Sequence, residues 1–427
     1  MGQKARPPTV FWGNERVSHE ALIGILREET LDRLSGKGRI LLVQDTTSLD
    51  FSGHEGVEGL GRLENSHSRG LFAHSTLAVS EDGLPLGVVG QRVWVRPEGE
   101  VGKRAKRHET AFADKESYKW VDGLRERYSG QVWAHGITVC DREAHIYEFL
   151  DVTLTSQLDF IVRAASGRSF TMEGQDVFEA IAFAPVASHK IIMVRRRPDR
   201  DAREASVQIR FGSLTLRRPK RAQTEREVLR VQVVEVLESQ APQDEVPIHW
   251  LLLTSLPAET LAQAEQVLTF YTYRWLIERF HFILKSGCKL EDSQLRTEPR
   301  LERLLAVYSG VAWHLLWLTY LARLTPDAPC TTVLSTLQWQ ALCAFIQRSL
   351  SLPSAPPTLR QVIRWIAQLG GFLGRKGDGD PGVKVLWRGW FRLHDIVQTW
   401  SLTHPSPDVG NAEPRWRGEK YGSKPGG

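Results

Sequence analysis

The sequence predicts an α/β protein in which a mixed β-sheet carries helices on both faces, followed by a helical C-terminal region. Compact apolar runs at 39–44 and 137–140 indicate short buried strands. Residues 71–79 and 86–95 flank a Glu-Asp-Gly turn, which predicts a hairpin. The apolar spacing turns helical from residue 261, with helices predicted at 271–285, 301–324, 334–350, 359–369 and 383–400.

The N-terminal elements follow one another in an informative order. Further helices are predicted at 18–34, 117–128 and 142–150, and a fifth strand at 160–163. Three strands are thus followed by a helix, a strand, a helix and a strand. Asp45 and Asp141 come directly after the first and fourth strands. This order of elements indicates a ribonuclease H-like core.

Between residues 165 and 254 the pattern changes to period-two alternation, which predicts an antiparallel β insertion. Its strands are expected at 206–211, 214–217 and 229–236. In about half of such cases, basic loops are only solvent-exposed charged residues that bind no ligand. Their concentration in an insertion beside the candidate acids favours contact with DNA. The basic residues are Arg195, Arg196, Arg197, Arg200, Arg203, Arg217, Arg218, Lys220 and Arg221.

The composition gives only weak indications of what kind of protein this is. The chain has 427 residues, a net charge of +5 and a pI of about 9.0, which leans toward a polyanionic partner. Four cysteines lie far apart without a CxxC pair, which argues against a disulfide framework or structural zinc and fits a reducing cytosol. No apolar run in the sequence reaches the length of a membrane-spanning helix, so no membrane partner is expected.

One amphipathic segment, 271–285, carries the most specific signal. If it is a continuous helix at about 100° per residue, four polar side chains share one narrow stripe. These are Tyr271, Arg274, Glu278 and Lys285, and the opposite face carries Leu276, Ile277, Phe280, Ile283 and Leu284. A lone carboxylate between two cations and a phenol suits a surface that holds a metal ion beside a phosphodiester.

Three acids are candidate metal ligands by their placement. Asp45 and Asp141 follow buried strands and Glu278 lies on the amphipathic helix, so rigid elements carry all three. Carboxylate oxygens select Mg²⁺ or Mn²⁺, and two such ions can activate a nucleophile and stabilise a leaving oxygen. An aspartate after a strand is, however, more often a helix cap or a loop residue. Glu143 is either an accessory ligand or a first-turn helix acid, the commoner role.

Three blocks of this sequence resemble the bacterial DDE transposases, specifically the insertion-sequence-four family with its tyrosine–arginine–glutamate–lysine signature. The blocks are 45–51 (DTTSLDF), 139–144 (VCDREA) and Tyr271-x2-Arg274-x3-Glu278-x6-Lys285. Shorter matches at 115–120, 250–255 and 369–372 extend the resemblance over nearly the whole chain.

The resemblance implies a role for each matching residue. Asp45, Asp141 and Glu278 would form a catalytic triad that binds two Mg²⁺ ions, for which Mn²⁺ can substitute. Tyr271, Arg274 and Lys285, together with Arg163, would hold DNA phosphates at the transposon end. Trp250 would stack on a flipped base and allow a hairpin intermediate. Without the resemblance, a core position for Trp250 is equally expected. Trp275 is a second base contact or a packing residue, and His281 is expected to be a satisfied structural histidine.

The resemblance also implies a domain organisation and partners. We expect a remnant connector at 1–38, a ribonuclease H-like core at 39–164 and 255–300, and the β insertion at 165–254. A C-terminal helical unit at 301–402 would pair two copies into a homodimer on transposon-end and target DNA, ahead of a disordered tail at 403–427. The cluster Trp365, Phe372, Trp387, Trp390 and Phe391 forms either that interface or a small core.

The function implied is cut-and-paste DNA transposition in the bacterial cytoplasm, at the nucleoid. Family members carry a helical end-recognition domain before the first block, and only 44 residues precede Asp45 here. The sequence therefore also admits a shortened, non-autonomous transposase that binds full-length protein as an inhibitor. A host nuclease of ribonuclease H-like fold is disfavoured, because it needs neither the β insertion nor Trp250.

Overall fold

A computed structural model describes residues 9–34, 36, 38–64, 67–96, 110–125, 136–194 and 202–404, which form two compact units, 1–317 and 318–427. The strands are β1 (Ile40–Asp50), β2 (Gly61–Arg62), β3 (Arg69–Ser80), β4 (Pro85–Trp94), β5 (Gly136–Cys140), β6 (Asp159–Arg163), β7 (Phe170–Thr171), β8 (Ser188–Val194), β9 (Arg203–Arg217), β10 (Val228–Glu238) and β11 (His249–Thr254). The helices are α1 (Thr9–Trp12), α2 (His19–Leu34), α3 (Lys119–Arg125), α4 (Tyr147–Thr155), α5 (Val177–Ala182), α6 (Leu261–Thr272), α7 (Trp275–Phe282), α8 (Glu298–Leu324), α9 (Thr336–Gln347), α10 (Leu359–Leu369) and α11 (Val383–Thr403).

Within the described residues, the first unit is built on one mixed sheet of eleven strands. Its order is β2-β3-β1-β5-β6-β11-β10-β9-β7, with β4 paired to β3 and β8 paired to β9. β1 runs antiparallel to β3 and parallel to β5, and β5 runs parallel to β6. The mixed α/β architecture predicted from the sequence is therefore confirmed.

Strand β1 is longer than its apolar run indicates. It continues to Asp50, so Asp45 lies within the strand. The prediction that Asp45 follows the end of the strand is therefore wrong. The reason is the partner strand: β3 pairs with β1 along its whole length, from Ile40 opposite Ser80 to Asp50 opposite Gly70. An uninterrupted antiparallel ladder satisfies the backbone beyond the point where the apolar side chains stop.

The β insertion is not a separate layer but an extension of the same sheet. Strand β11 returns to pair antiparallel with β6, with Leu252 opposite Arg163. The two strands predicted at 206–211 and 214–217 are one continuous strand, β9, because β10 pairs with it from Val207 to Arg217. The short helix α5 inside this region, capped by Asp176, was not anticipated.

The core of the sheet lies beneath β5, β6, β10 and β11. Side chains from these strands meet α3 and α4 in one apolar cluster whose members are essentially inaccessible to water, among them Trp120, Phe149, Phe160, Val233 and Leu253. Because β5 and β6 are covered on both faces, they read as unbroken apolar runs in the sequence. This buried layer fixes the two parallel strands that lead to the candidate site.

Two predicted helices have different bounds in the structure. Instead of a helix at 142–150, a 3₁₀ turn at Arg142–Ala144 precedes α4, because the Asp141 side chain accepts the Glu143 backbone N–H and starts a separate short turn. Of the helix predicted at 117–128, the described part is a 3₁₀ turn at Glu116–Tyr118 followed by α3. Arg195, Arg196, Arg197, Arg200, residues 126–128, parts of the 1–38 connector and the tail beyond His404 lie outside the described residues.

Helix α8 changes the expectation about membrane-spanning length. In the part of the chain that the structure describes, this one helix is long and apolar enough to cross a membrane by length and composition alone. Half of its most apolar window is buried inside the protein.

The second unit contains α9, α10 and α11. Helix α9 begins at a reciprocal cap between Ser335 and Gln338 and ends at Arg348, whose φ of 52° is left-handed. Helices α10 and α11 approach closely at two glycines. A Cβ on Gly389 would stand 1.7 Å from the carbonyl oxygen of Ile366, and one on Gly370 would stand 1.8 Å from that of Val385.

Candidate active site

Asp45 and Asp141 are brought together by the parallel pairing of β1 and β5. Val43 lies opposite Val139, and each aspartate follows two residues later on neighbouring chain segments. Asp45 is held by the backbone N–H of Thr46, which donates to its Oδ1 at 2.8 Å. Asp141 is held in the same way by the N–H of Glu143, also at 2.8 Å.

Glu278 approaches these aspartates from α7, through Arg274. The Arg274 guanidinium donates to a Glu278 carboxylate oxygen one helical turn away and lies 3.9 Å from Oδ2 of Asp45. Burial raises the pKa of Asp45 to about 7; Arg274 opposes that rise, and Asp141 and Glu278 add to it. Burial also raises the pKa of Asp141. Asp141 and Glu278 therefore both act electrostatically on Asp45.

The segment 271–285, which carries Glu278, was predicted to be one continuous helix. In the structure it is interrupted. Helix α6 ends at Thr272 and α7 begins at Trp275. The backbone N–H of Arg274 bonds to the carbonyl of Tyr271 at 3.0 Å, a tightened i to i−3 turn. Residues Ile283–Gly287 then widen into a π-helix. The opposite face is buried as predicted: Leu276, Ile277, Phe280, Ile283 and Leu284 are each at most 2% exposed.

Four of the five predicted DNA contacts lie together beside the acids. Tyr271 is buried, Trp250 packs edge-on against its ring at a centroid distance of 5.8 Å, and the Arg274 guanidinium lies 5.9 Å from the same ring. The pKa of Arg163 is lowered, mainly by burial, and the neighbouring Tyr271 opposes this lowering. Lys285 lies elsewhere on the segment, where its charge acts on Asp50 and His281.

Several other predicted residues have structural roles. Glu143 is 61% exposed and forms an ion pair with Lys119 at 3.4 Å, in line with the first-turn role. Arg203 forms ion pairs with Glu238 and Glu245. The predicted contact of the basic insertion residues with DNA therefore does not apply to Arg203. His281 is buried, but its Nε2 has no hydrogen-bond partner among the described residues, so the expectation of a satisfied histidine is wrong.

Sequence reasoning missed a polar network behind Trp250. The His249 ring is 2.8 Å from Glu235, whose other oxygen accepts from Arg210 at 2.9 Å. The backbone carbonyl of His249 accepts from Arg163 at 3.1 Å. Glu235 is 2% exposed and interrupts an apolar run of β10 formed by Val233, Val234, Val236 and Leu237. A lone acid in such a run was the available signal, because a buried carboxylate needs a partner.

The donor set has the chemistry that a hard divalent cation requires. Asp45, Asp141 and Glu278 offer only carboxylate oxygens, and the Arg274 guanidinium already occupies part of this acidic pocket as a stand-in cation. As now arranged, no three His, Cys, Asp or Glu side chains within the described ranges stand close enough together to hold a metal ion.

Comparison with known families gives two matches along the chain. Residues 97–311 match the transposase DDE domain, and residues 310–402 match the transposase Tn5 dimerisation domain. The DDE match begins after Asp45 in the chain. The fold and the match together define a DDE-type enzyme, a class that generally uses divalent metal ions.

Because the DDE domain match spans half of the 427 residues, the protein belongs to the DDE transposase family. The dimerisation-domain match points to a homodimer acting on DNA.

Proposed function

We propose that this protein cuts transposon ends and joins them to target DNA by a cut-and-paste route with a hairpin intermediate. The observation that supports this most is that Arg274 ion-pairs with Glu278 and Asp45 and acts electrostatically on Asp141, beside Tyr271 and Trp250. Acids and phosphate-binding groups in one place are what phosphodiester cleavage requires.

The roles that we assign follow the position of each side chain. Asp45, Asp141 and Glu278 would hold two Mg²⁺ ions, which supply an activated water or 3′-hydroxyl and stabilise the leaving oxygen. Arg163, Tyr271 and Arg274 bind the phosphates next to the cleaved bond, and Lys285 binds a phosphate further along. Trp250 offers its ring to a base turned out of the duplex, which relieves the strand for hairpin closure.

We further propose that the protein is an insertion-sequence-four type transposase with a ribonuclease H-like core. The order β4-β3-β1-β5-β6, antiparallel at first and then parallel, supports that core. The β insertion at 165–254 and the pairing unit at 301–402 complete the proposed domains. The site of action would be the bacterial cytoplasm, at the nucleoid.

Nicking of DNA tests the proposed catalytic residues. The substrate is a plasmid carrying the genomic DNA that flanks the gene, with Mn²⁺ added to purified protein. We expect Glu278→Ala to lower nicking by at least about a hundredfold, and EDTA to abolish it. The matched control Glu143→Ala removes a carboxylate that is exposed and paired with Lys119. Equal activity of the two variants would refute the assignment.

The same assay addresses the inhibitor alternative. A transposase that acts only by pairing with an active copy would bind the plasmid without nicking it. It would also depress nicking by an active relative added to the reaction. Nicking by the purified protein alone excludes that alternative as its sole function.

A further inference from the structure

One positive charge serves two groups of residues in the candidate site. The Arg274 guanidinium donates to Glu278 and lies 3.9 Å from Asp45, and its charge also opposes the rise in the pKa of Asp141 that burial causes. Its side chain is only 17% exposed. Arg274 therefore neutralises part of the negative charge that the three carboxylates carry.

On its other side, Arg274 faces the residues that we assign to phosphate binding. Its guanidinium lies 5.9 Å from the Tyr271 ring, and its charge is close enough to act on Arg163. Two guanidinium groups near one another repel, and a phosphate between them removes that repulsion. Arg274 thus lies between the carboxylates of Asp45 and Glu278 and the residues Tyr271 and Arg163, which we assign to phosphate binding.

Arg274 competes with a metal ion for the charge of the carboxylates, and a DNA phosphate would in turn compete with the carboxylates for Arg274. A divalent cation bound to Asp45 and Glu278 would share their negative charge with the Arg274 guanidinium, and two positive charges on the same carboxylates repel each other. A DNA phosphate offers the guanidinium two acceptor oxygens in the planar arrangement that arginine prefers. Movement of the guanidinium to the phosphate would free the carboxylates.

We propose that Arg274 is a built-in counter-ion that holds Asp45 and Glu278 until a DNA phosphate takes it over, so that DNA binding tightens metal binding. The inference depends on the function proposed above. It makes the acidic pocket a weak metal site in free protein and a strong one on DNA, which would limit cleavage to the DNA-bound state.

The test measures Mn²⁺ affinity and not activity. Electron paramagnetic resonance counts free Mn²⁺ during titration of the full chain, with and without a short blunt DNA duplex at low salt. For the unmodified protein we expect the duplex to tighten Mn²⁺ binding by about tenfold. Arg274→Gln should bind Mn²⁺ about tenfold more tightly than the unmodified protein without DNA, and the duplex should add little.

Arg279→Gln is the matched control. It removes the same charge five residues further along the chain, and among the described residues Arg279 packs on Phe282 at 5.2 Å without an ion pair to Asp45 or Glu278. It should behave as the unmodified protein does. Arg274→Lys, which keeps the charge without the planar fork, should fall between the unmodified protein and Arg274→Gln, and it serves if Arg274→Gln does not fold.

Two results would overturn the proposal: equal Mn²⁺ affinity of Arg274→Gln and Arg279→Gln without DNA, or no effect of the duplex on the unmodified protein. Glu278→Ala separates this failure from a failure of the proposed function. If Glu278→Ala leaves Mn²⁺ binding unchanged, the metal site itself is wrong. If Glu278→Ala weakens Mn²⁺ binding but Arg274→Gln does not tighten it, only the counter-ion role is wrong.

Discussion

At the scale of single residues, buried polar side chains in this protein depend on specific partners. His145 is 2% exposed, its Nδ1 accepts the Ala165 backbone N–H at 2.9 Å, and its Nε2 is 2.7 Å from the Ser169 hydroxyl. A ring nitrogen that accepts a backbone N–H must carry no proton. The network therefore requires the neutral form of the imidazole.

The pKa of His145 leads to a prediction about acid stability. Burial and, to a smaller extent, the charge of Arg168 lower this pKa from 6.5 to about 4. Because the folded pKa lies below the unfolded one, His145 contributes stability above pH 6.5 that is lost as the pH falls toward 4. Between pH 7.5 and pH 5, the unmodified protein should lose about 2 kcal/mol more than His145→Gln. Urea unfolding at both pH values measures this, and equal losses would contradict it.

Glu235 gives a second prediction at this scale. Burial by itself raises its pKa, but hydrogen bonds from His249 and Arg210 outweigh burial and lower the pKa overall. Glu235→Gln leaves the Arg210 charge, 16% exposed, without its counter-ion. We expect the free energy of unfolding to fall by about 1–3 kcal/mol, and DNA nicking to fall as His249 loosens beside Trp250. Glu204→Gln, on an exposed position of β9, is the control and should change neither quantity.

At the scale of elements, local deviations from regular geometry decide what each element can present. The 3₁₀ turn at Arg274 and the π-helix at Ile283–Gly287 alter the angles between the polar residues of 271–285. Arg274 and Glu278 stay together because a regular turn separates them, and Lys285 lies beyond the start of the π-helix.

The packing of α10 against α11 gives a prediction for the second unit. Gly389→Ala places a methyl group 1.7 Å from the Ile366 carbonyl oxygen, so the two helices must separate. We expect a loss of about 1–3 kcal/mol in the free energy of unfolding. Gly382→Ala is the control, because a Cβ there meets nothing within 4 Å. Thermal unfolding of both variants decides the matter, and equal midpoints would show that the helices do not pack as described.

At the scale of the whole molecule, the exposed aromatic side chains of α11 bear on assembly. Trp387 packs edge-on against Phe391 at 4.3 Å, and Phe391 remains 55% exposed. None of the five aromatic residues in the predicted cluster is fully buried, so they do not form a closed core. With the dimerisation-domain match over 310–402, this supports the interface interpretation.

Phe391→Asp tests that interpretation. A charge at the centre of an apolar interface should prevent pairing of two copies on DNA, while an exposed position leaves the fold intact. Analytical ultracentrifugation of the DNA complex should show one copy where the unmodified protein shows two. Ile25→Asp changes an apolar side chain of α2 that is 54% exposed, and it should leave pairing unchanged. Pairing by Phe391→Asp would place the interface elsewhere.

The sequence by itself determined the fold class, the order of strands and helices, and which side chains are candidates for chemistry. It could do so because burial imposes a period on apolar residues, and a carboxylate next to a buried strand stands out. Only the tertiary structure decided that β1 runs past Asp45, that β11 joins the insertion to the core sheet, and that Arg274 lies against both Asp45 and Glu278. Strand pairing and ion pairs depend on neighbours far away along the chain, and no local pattern records those neighbours.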